Sequence, residues 1–258
     1  MTRARRWLLR GSLALLVVMV FLAIPFFAAF RGLAPIVDGP GPVAGVRTVK
    51  LGFVSAFVLD AGEGRAVLVD AGADRAGVEL LAAVRAAGYT PDAVLAVLLT
   101  HGHGDHVAGA SLFRNAAIVA LDAERALVEG VATSRSPMGR MARARPTGVR
   151  VTRVVRDGES LRFGALDVSV YALPGHTAGS AAFLAREVLF VGDAASATHE
   201  NRARGPAWMF SESVEQGATS LRALAARLRA EGRVVRAMAP AHSGPLTGDV
   251  LGALSALR

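Results

Sequence analysis

Residues 101–106, with the sequence HGHGDH, place three imidazoles and one carboxylate in six consecutive positions separated only by glycine. The whole chain has six histidines, so half of them lie in this stretch. A single histidine in a loop is ordinary, but this spacing of imidazole and carboxylate is typical of metal ligands. Because the chain has no cysteine, nitrogen and oxygen must hold any metal, a donor set that suits zinc, manganese or iron at a catalytic site.

The other three histidines and one further aspartate also follow predicted strands. His176 lies in the segment PGHTAGS, His242 lies in PAHSGP, and Asp193 ends the segment FVGD. Loops at the ends of strands can converge on one rim, so we expect these side chains to join the cluster. His199 follows Asp193 closely and is a candidate substrate contact, with an ordinary surface histidine as the alternative.

The cluster is preceded by an apolar run at residues 93–99, which predicts a strand buried on both faces. Residues 106–113 predict a short helix directly after it. The cluster is therefore expected in a loop at the carboxyl end of a central strand, where open sheets commonly place their chemistry.

The rest of the chain predicts a mixture of strands and helices. Predicted helices cover residues 74–87, 122–129 and 213–230, with a short one at the end of the chain. Predicted strands cover residues 46–51, 54–59, 66–70, 116–120, 149–155, 160–163, 167–172, 181–184, 188–191 and 234–239. Because strands and helices do not alternate strictly, two packed sheets with helices outside fit better than one doubly wound parallel sheet.

The amino-terminal part predicts a membrane anchor. Residues 1–10 are basic, and residues 11–30 contain no charged side chain. At ~1.5 Å per helical residue, the second stretch is long enough to cross a bilayer core of ~30 Å. The preceding arginines favour a cytoplasmic amino terminus, which would place the later residues outside the cytoplasm as a single-pass membrane protein. The alternative is a cleaved signal peptide and a secreted protein.

The remaining organisation follows from composition and charge. Residues 31–45 are rich in proline and glycine and predict a linker, and residues 46–258 predict the folded domain. The net charge is +8, of which residues 1–45 carry +4. We expect no nucleic-acid partner, because no basic stripe interleaved with aromatic residues is present. The sequence contains no feature that specifies an oligomeric state.

Taken in order, HGHGDH, PGHTAGS, the Gly-Asp pair and the late histidine resemble the metallo-β-lactamase-fold hydrolases over residues 46–258. The resemblance implies an α+β fold, an αββα four-layer sandwich with the site along one edge of two packed sheets, here preceded by one transmembrane helix. It also implies how seven ligands divide between two metals. The first metal would be held by His101, His103 and His176, the second by Asp105, His106 and His242, and Asp193 would bridge both.

The resemblance further implies a zinc-dependent hydrolase with two Zn²⁺ per chain, iron or manganese being alternatives. Metal-activated water would attack a small-molecule substrate, namely an ester, a thioester or a lactone, while Asp105 orients the nucleophile. An aspartate in the place of Asp193 is typical of hydroxyacylglutathione hydrolases and lactonases. True zinc β-lactamases lack it, so β-lactam hydrolysis is not expected as the main activity. A mononuclear-iron persulfide dioxygenase and a phosphodiesterase on the same fold are the alternatives.

Overall fold

The structure is a computed structural model that describes residues 23–257. Residues 23–30 are helical. The helices that follow are α1 (Val78–Ala86), α2 (Gly104–Val107), α3 (Arg125–Val128), α4 (Val214–Ala230) and α5 (Val250–Ser255), with 3-10 turns at Pro91–Ala93, Ala110–Leu112, Asp122–Glu124, Gly139–Met141 and Trp208–Phe210. Its strands are β1 (Gly39–Pro40), β2 (Val46–Leu51), β3 (Val54–Gly62), β4 (Arg65–Val69), β5 (Val94–Leu98), β6 (Ala117–Leu121), β7 (Arg153–Val155), β8 (Ser160–Phe163), β9 (Leu166–Ala172), β10 (Ala181–Ala185), β11 (Val188–Gly192), β12 (Ser196–Ala197), β13 (Ala203–Arg204), β14 (Ala237–Pro240) and β15 (Leu246–Thr247).

The strands form two large sheets. The first has the order β1-β2-β3-β4-β5-β6-β7, and the second has the order β15-β14-β11-β10-β9-β8. In the first sheet the pairs from β4 to β7 are parallel and the others antiparallel. In the second sheet β11 and β14 are parallel, and the other neighbours are antiparallel. The mixed strand order therefore builds two sheets, as we expected from the sequence.

Three apolar clusters define the layers. The inner faces of the two sheets pack on each other through residues such as Phe57, Leu98 and Phe190. On the outer face of the first sheet, α1 buries Leu80 among the side chains of the strands below it. On the outer face of the second sheet, α4 buries Leu221 in the same way. Burial of one face of each helix and both faces of each sheet gives the αββα sandwich.

Some predicted elements are shorter than expected. The predicted strand at residues 149–155 is regular only from Arg153, because the amide of Ile118 donates to the Thr152 hydroxyl (2.8 Å) rather than to a carbonyl of that strand. The predicted helix at residues 106–113 is divided into α2 and a 3-10 turn. Gly109 lies at this break, and a Cβ there would come within 2.4 Å of the Ala71 carbonyl oxygen.

The segment that we expected to be a linker is largely attached to the domain. A compact unit begins at Leu33, not at residue 46. β1 pairs with β2, Leu33 bridges Thr198, and the amide of Ala34 donates to the Ala197 carbonyl (2.9 Å). Edge strands offer unpaired backbone groups, and residues 33–45 satisfy several of them.

The predicted membrane span falls mostly outside the described residues. Residues 23–30 are helical, and residues 11–22 are not among those described. Within residues 23–257, none of the helices has the length and apolar character needed to cross a membrane.

Candidate metal centre

Four loops bring the candidate ligands to one edge of the sandwich. Residues 101–106 follow β5, whereas His176, Asp193 and His242 follow β9, β11 and β14. β9 and β11 both run antiparallel to β10, and β14 runs parallel to β11, so the carboxyl ends of these three strands meet at the same edge. The amide of Ala181 donates to the carbonyl of Thr100 (2.8 Å), which joins this edge to the end of β5.

The first ligand group consists of His101, His103, His176 and Asp193. His101 Nε2 lies 3.0 Å from His103 Nδ1 and 3.1 Å from His176 Nε2. His103 Nδ1 and His176 Nε2 are 3.0 Å apart. Two nitrogens bound to one tetrahedral zinc, each at about 2.0–2.1 Å, are separated by about 3.3 Å. The three imidazole nitrogens therefore form a triangle close to the size that a tetrahedral metal ion requires.

The second ligand group consists of Asp105, His106 and His242. Asp105 Oδ2 lies 3.3 Å from His242 Nε2 and 3.8 Å from His106 Nε2. Residues 104–107 form α2, so the chain turns after His103, and Asp105 does not continue the extended run of the first two histidines. This turn separates Asp105 and His106 from the first group.

Asp193 contacts both groups. Its Oδ1 lies 3.3 Å from His106 Nε2, and its Oδ2 lies 3.1 Å from His242 Nε2. Oδ2 also lies 3.6 Å from His176 Nε2 and 4.0 Å from His101 Nε2. A carboxylate in this place can bind one ion with each oxygen.

The donors fit a pair of metal ions. His106 Nε2 and Asp193 Oδ1 are buried and lie 3.3 Å apart as an ion pair, but neither atom makes a hydrogen bond. Buried polar atoms are nearly always hydrogen-bonded, and an unsatisfied one calls for an explanation such as a bound ion. Neutral imidazoles and carboxylates, without thiolates, are donors that suit zinc and related divalent ions.

His106 and His101 are oriented by residues at the ends of β4 and β5. His106 Nδ1 is 2.8 Å from Asp70 Oδ2, and the amide and hydroxyl of Thr100 donate to the same carboxylate at 2.8 Å each. Asp70 adopts φ 58°, a left-handed conformation that is uncommon for a residue with a side chain. The Thr100 hydroxyl also lies 3.2 Å from His101 Nδ1. Such outer contacts fix the tautomer and orientation of metal-binding imidazoles.

His176 and His242 are oriented by groups that the sequence patterns did not indicate. His176 Nδ1 lies 3.0 Å from the hydroxyl of Ser211, which donates to the Ala207 carbonyl (2.7 Å). His242 Nδ1 donates to the carbonyl of Phe53 (2.9 Å), and the Phe53 ring stacks on the imidazole with centroids 5.6 Å apart. A backbone carbonyl and a serine in an irregular stretch have no sequence motif, so only the fold identifies them.

The two groups differ in electrostatics. Burial lowers the pKa of His101 and of His103, and it lowers that of His176 to about 3. Burial also acts to lower the pKa of His106 and His242, but nearby carboxylates, Asp193 first among them, outweigh it. The pKa of His106 is raised well above its usual value, and that of His242 is raised to about 10.

The carboxylates respond in the opposite direction. Burial acts to raise the pKa of Asp105 and of Asp193, but the neighbouring imidazoles outweigh it. His106 is the strongest of these for Asp105, whose pKa falls to about 2, and His242 is the strongest for Asp193. Both carboxylates are therefore ionised at neutral pH, which is the form that binds a metal ion.

His199 lies apart from these groups. It is exposed in the turn between β12 and β13. Among the described contacts, none joins it to the seven clustered side chains by a hydrogen bond or an ion pair. Its role as a substrate contact stays a prediction.

Comparison with known proteins places this geometry in a family. The model of the metallo-beta-lactamase superfamily matches residues 49–242, and the chain belongs to that superfamily. Members bind divalent metal through a histidine cluster of this kind, and the relationship supports a metal-dependent hydrolase.

Similar curated proteins are hydroxyacylglutathione hydrolases. That of Klebsiella pneumoniae is 31% identical over 137 residues, which cover 53% of this chain and 45% of the relative. That of Xanthomonas axonopodis pv. citri is 36% identical over 138 residues, which cover 53% of this chain and 44% of the relative. The chain thus matches a little under half the length of these relatives.

Similar solved structures share the fold. A B3 metallo-β-lactamase with an active-site glutamic acid superposes with a TM-score of 0.64 at 22% identity, covering 90% of this chain and 89% of that one. A metallo-β-lactamase family protein from Thermus thermophilus superposes with a TM-score of 0.59 at 23% identity, covering 82% of this chain and 77% of that one. At these identities the likeness establishes the fold alone.

Proposed function

We propose that this protein is a dizinc hydrolase that cleaves a small ester, thioester or lactone. The observation that carries the proposal is the position of Asp193, whose two oxygens contact both ligand groups. A carboxylate in contact with both groups could bind one ion through each oxygen and so hold two ions side by side. The similarity to hydroxyacylglutathione hydrolases over about half of the chain supports thioesters as one substrate class.

Two zinc ions held by these ligands would supply Lewis-acid activation of water and of the scissile carbonyl at neutral pH. The protein's own residues then define the reaction geometry. The Asp105 carboxylate, whose pKa of about 2 keeps it ionised at neutral pH, can accept a hydrogen bond from the attacking water and hold that water in line. The ring of Phe53, 60% exposed and stacked on His242, offers an apolar surface for the substrate beside the second group.

The direct test combines metal analysis with a substrate panel. We expect the purified full-length protein to contain two zinc ions per chain and to hydrolyse thioesters or lactones faster than phosphodiesters and β-lactams. Faster turnover of phosphodiesters would replace the proposed substrate class. One iron per chain together with oxygen uptake on persulfides would overturn the hydrolase assignment.

We also propose that residues 11–30 anchor the protein in a membrane, with the catalytic domain outside the cytoplasm. The support is the absence of charge in this stretch, the arginines before it, and the exposed apolar side chains of Ile24 and Phe27, 63% and 71% exposed.

Alkaline carbonate extraction and protease treatment of intact cells test the anchor. We expect the full-length chain to stay in the membrane pellet and its domain to be digested from outside. Recovery of the full-length chain in the carbonate supernatant would refute the anchor. A mature chain that lacks the first 30 residues would establish cleavage and secretion instead.

A further inference from the structure

Glu124 is a buried carboxylate that the catalytic proposal does not use. It lies at the end of the 3-10 turn that follows β6, and it is 1% exposed. Its Oε1 accepts a hydrogen bond from the amide of Gly102 (2.7 Å), and its Oε2 accepts one from the amide of Gly179 (2.9 Å). Gly102 separates His101 from His103, and Gly179 lies three residues after His176. One side chain therefore links the two loops that supply the imidazoles of the first ligand group.

The two glycines allow this close approach. A Cβ on Gly102 would lie 2.6 Å from the amide nitrogen of Val128, at the end of α3. A Cβ on Gly179 would lie 2.4 Å from the amide nitrogen of Glu124 and 2.6 Å from its Oε2. Both loops thus pack against residues 122–128 at distances that any larger residue would prevent.

Burial of this carboxylate costs free energy, so filling space in the core does not explain why position 124 is a glutamate. Burial raises the pKa of Glu124 to about 7, although Gly102, Thr177 and Gly179 all favour the charged form through hydrogen bonds. An apolar side chain of similar size would fill the same volume without that penalty. What it could not do is accept one hydrogen bond from each loop.

We propose that Glu124 is a positioning residue that fixes the His101–His103 loop relative to the His176 loop and thereby sets the metal affinity of the first ligand group. This inference rests on the proposed function only in that the group binds a metal ion. The second group has other supports, because His106 is held by Asp70 and His242 by the Phe53 carbonyl. We therefore expect Glu124 to affect the first group much more than the second.

Glu124→Gln tests the inference with zinc alone as the probe. The amide keeps the shape of the side chain, but its NH2 group cannot accept from the second loop. We expect the dissociation constant of zinc at the first group to rise by about 10–100-fold, as for other outer partners of ligating residues. The constant at the second group should change much less, and the Co²⁺ absorption spectrum of the first group should shift.

Two further variants complete the test: one is a control at another glutamate, and the other separates the position of the carboxylate from its charge. Glu129→Gln is the matched control, because Glu129 lies five residues later and also accepts a backbone hydrogen bond, from Val151 (3.2 Å). Zinc affinity should be unchanged in this control variant.

Glu124→Asp keeps the charge but is one methylene shorter, so its carboxylate cannot reach both amides. This variant should bind zinc as weakly as Glu124→Gln. Normal zinc affinity in both Glu124 variants would overturn the proposal, and recovery in the aspartate variant alone would show that charge, not position, is what matters.

Hydrogen exchange gives a second readout. It uses the unsubstituted protein, so it does not depend on whether a variant folds. In the unsubstituted protein stripped of metal, the amides of Gly102 and Gly179 should both exchange slowly, because each donates to a buried carboxylate. Rapid exchange of either amide would overturn the proposal. None of these measurements depends on hydrolysis, so an incorrect substrate class leaves the test intact.

Discussion

The two ligand groups of this protein differ in the environment that the fold gives to their imidazoles. In the first group, burial is the dominant influence, and it lowers the pKa of His176 to about 3. In the second, the carboxylates dominate, and they raise the pKa of His242 to about 10. The imidazoles of the first group are thus already neutral at physiological pH, whereas those of the second carry protons that a metal ion must displace.

This difference shows how one loop can serve two sites. His103 and Asp105 are two residues apart, but α2 begins at Gly104 and directs Asp105 to the other group. The supports also differ, because Ser211 and Glu124 serve the first group, and Asp70 and the Phe53 carbonyl serve the second. We therefore expect the two sites to respond separately to substitution, except where Asp193 joins them.

The largest effect is expected from Asp193→Ala. Loss of the carboxylate that contacts both groups should lower the zinc content from two ions to about one per chain, held by the three histidines of the first group, and abolish hydrolysis. Elemental analysis and turnover with a thioester measure this. Asp157→Ala, which removes an exposed aspartate paired with Arg227, is the control and should keep both ions. Two tightly bound ions in Asp193→Ala would rule out the bridging role.

A strong but divided effect is expected from single histidine substitutions. His242→Ala should keep one zinc ion, because His101, His103 and His176 remain. The Co²⁺-substituted variant should show the absorption spectrum of the first group alone. His101→Ala should weaken the first site and abolish hydrolysis. If both variants lost the same ion, the division into two groups would be incorrect.

The pH dependence of zinc binding should differ between the groups. His242 is protonated below a pKa of about 10, so zinc binding at the second group should tighten as pH rises from 7 to 9, by about tenfold per pH unit for each proton released. His176, with a pKa of about 3, has no proton to lose over this range. Zinc titrations by calorimetry in buffers of different ionisation enthalpy count the released protons. Equal slopes for the two sites would contradict the electrostatic contrast.

A smaller effect is expected from Asp70→Asn. This change weakens the orientation of His106 and should raise the dissociation constant of the second zinc ion by about 10–100-fold, with the first site little affected. Chelator competition measures both constants. A loss confined to the first site would reverse the pairing of supports that the structure indicates.

The smallest effect is expected from His199→Ala. His199 is exposed in a turn, so metal content should stay at the unsubstituted level and any change should be a modest rise in KM. Steady-state kinetics and metal analysis on the same sample measure this. An unchanged KM would remove His199 from the substrate site, and a loss of zinc would contradict its placement.

Much of the fold was predictable because it depends on local patterns. The buried apolar strand at residues 94–98, the hairpin between β3 and β4 and the long helix from Val214 all follow from hydrophobic periodicity and turn residues. The attachment of residues 33–45 was not predictable, because proline and glycine are typical of linkers and of edge segments alike. That attachment depends on the backbone of β12 and β2, which local composition does not describe.

The sequence by itself determined which donors this protein has. The absence of cysteine, the contiguous HGHGDH run and the later His176, Asp193 and His242 predicted a nitrogen and oxygen site, and these seven side chains lie together in the structure. Only the tertiary structure decided how each donor is held. Gly102 and Glu124 are 22 positions apart, and Phe53 and His242 are 189 apart. Such contacts arise from the packing of two sheets, which brings distant loops to one edge, and no local pattern encodes them.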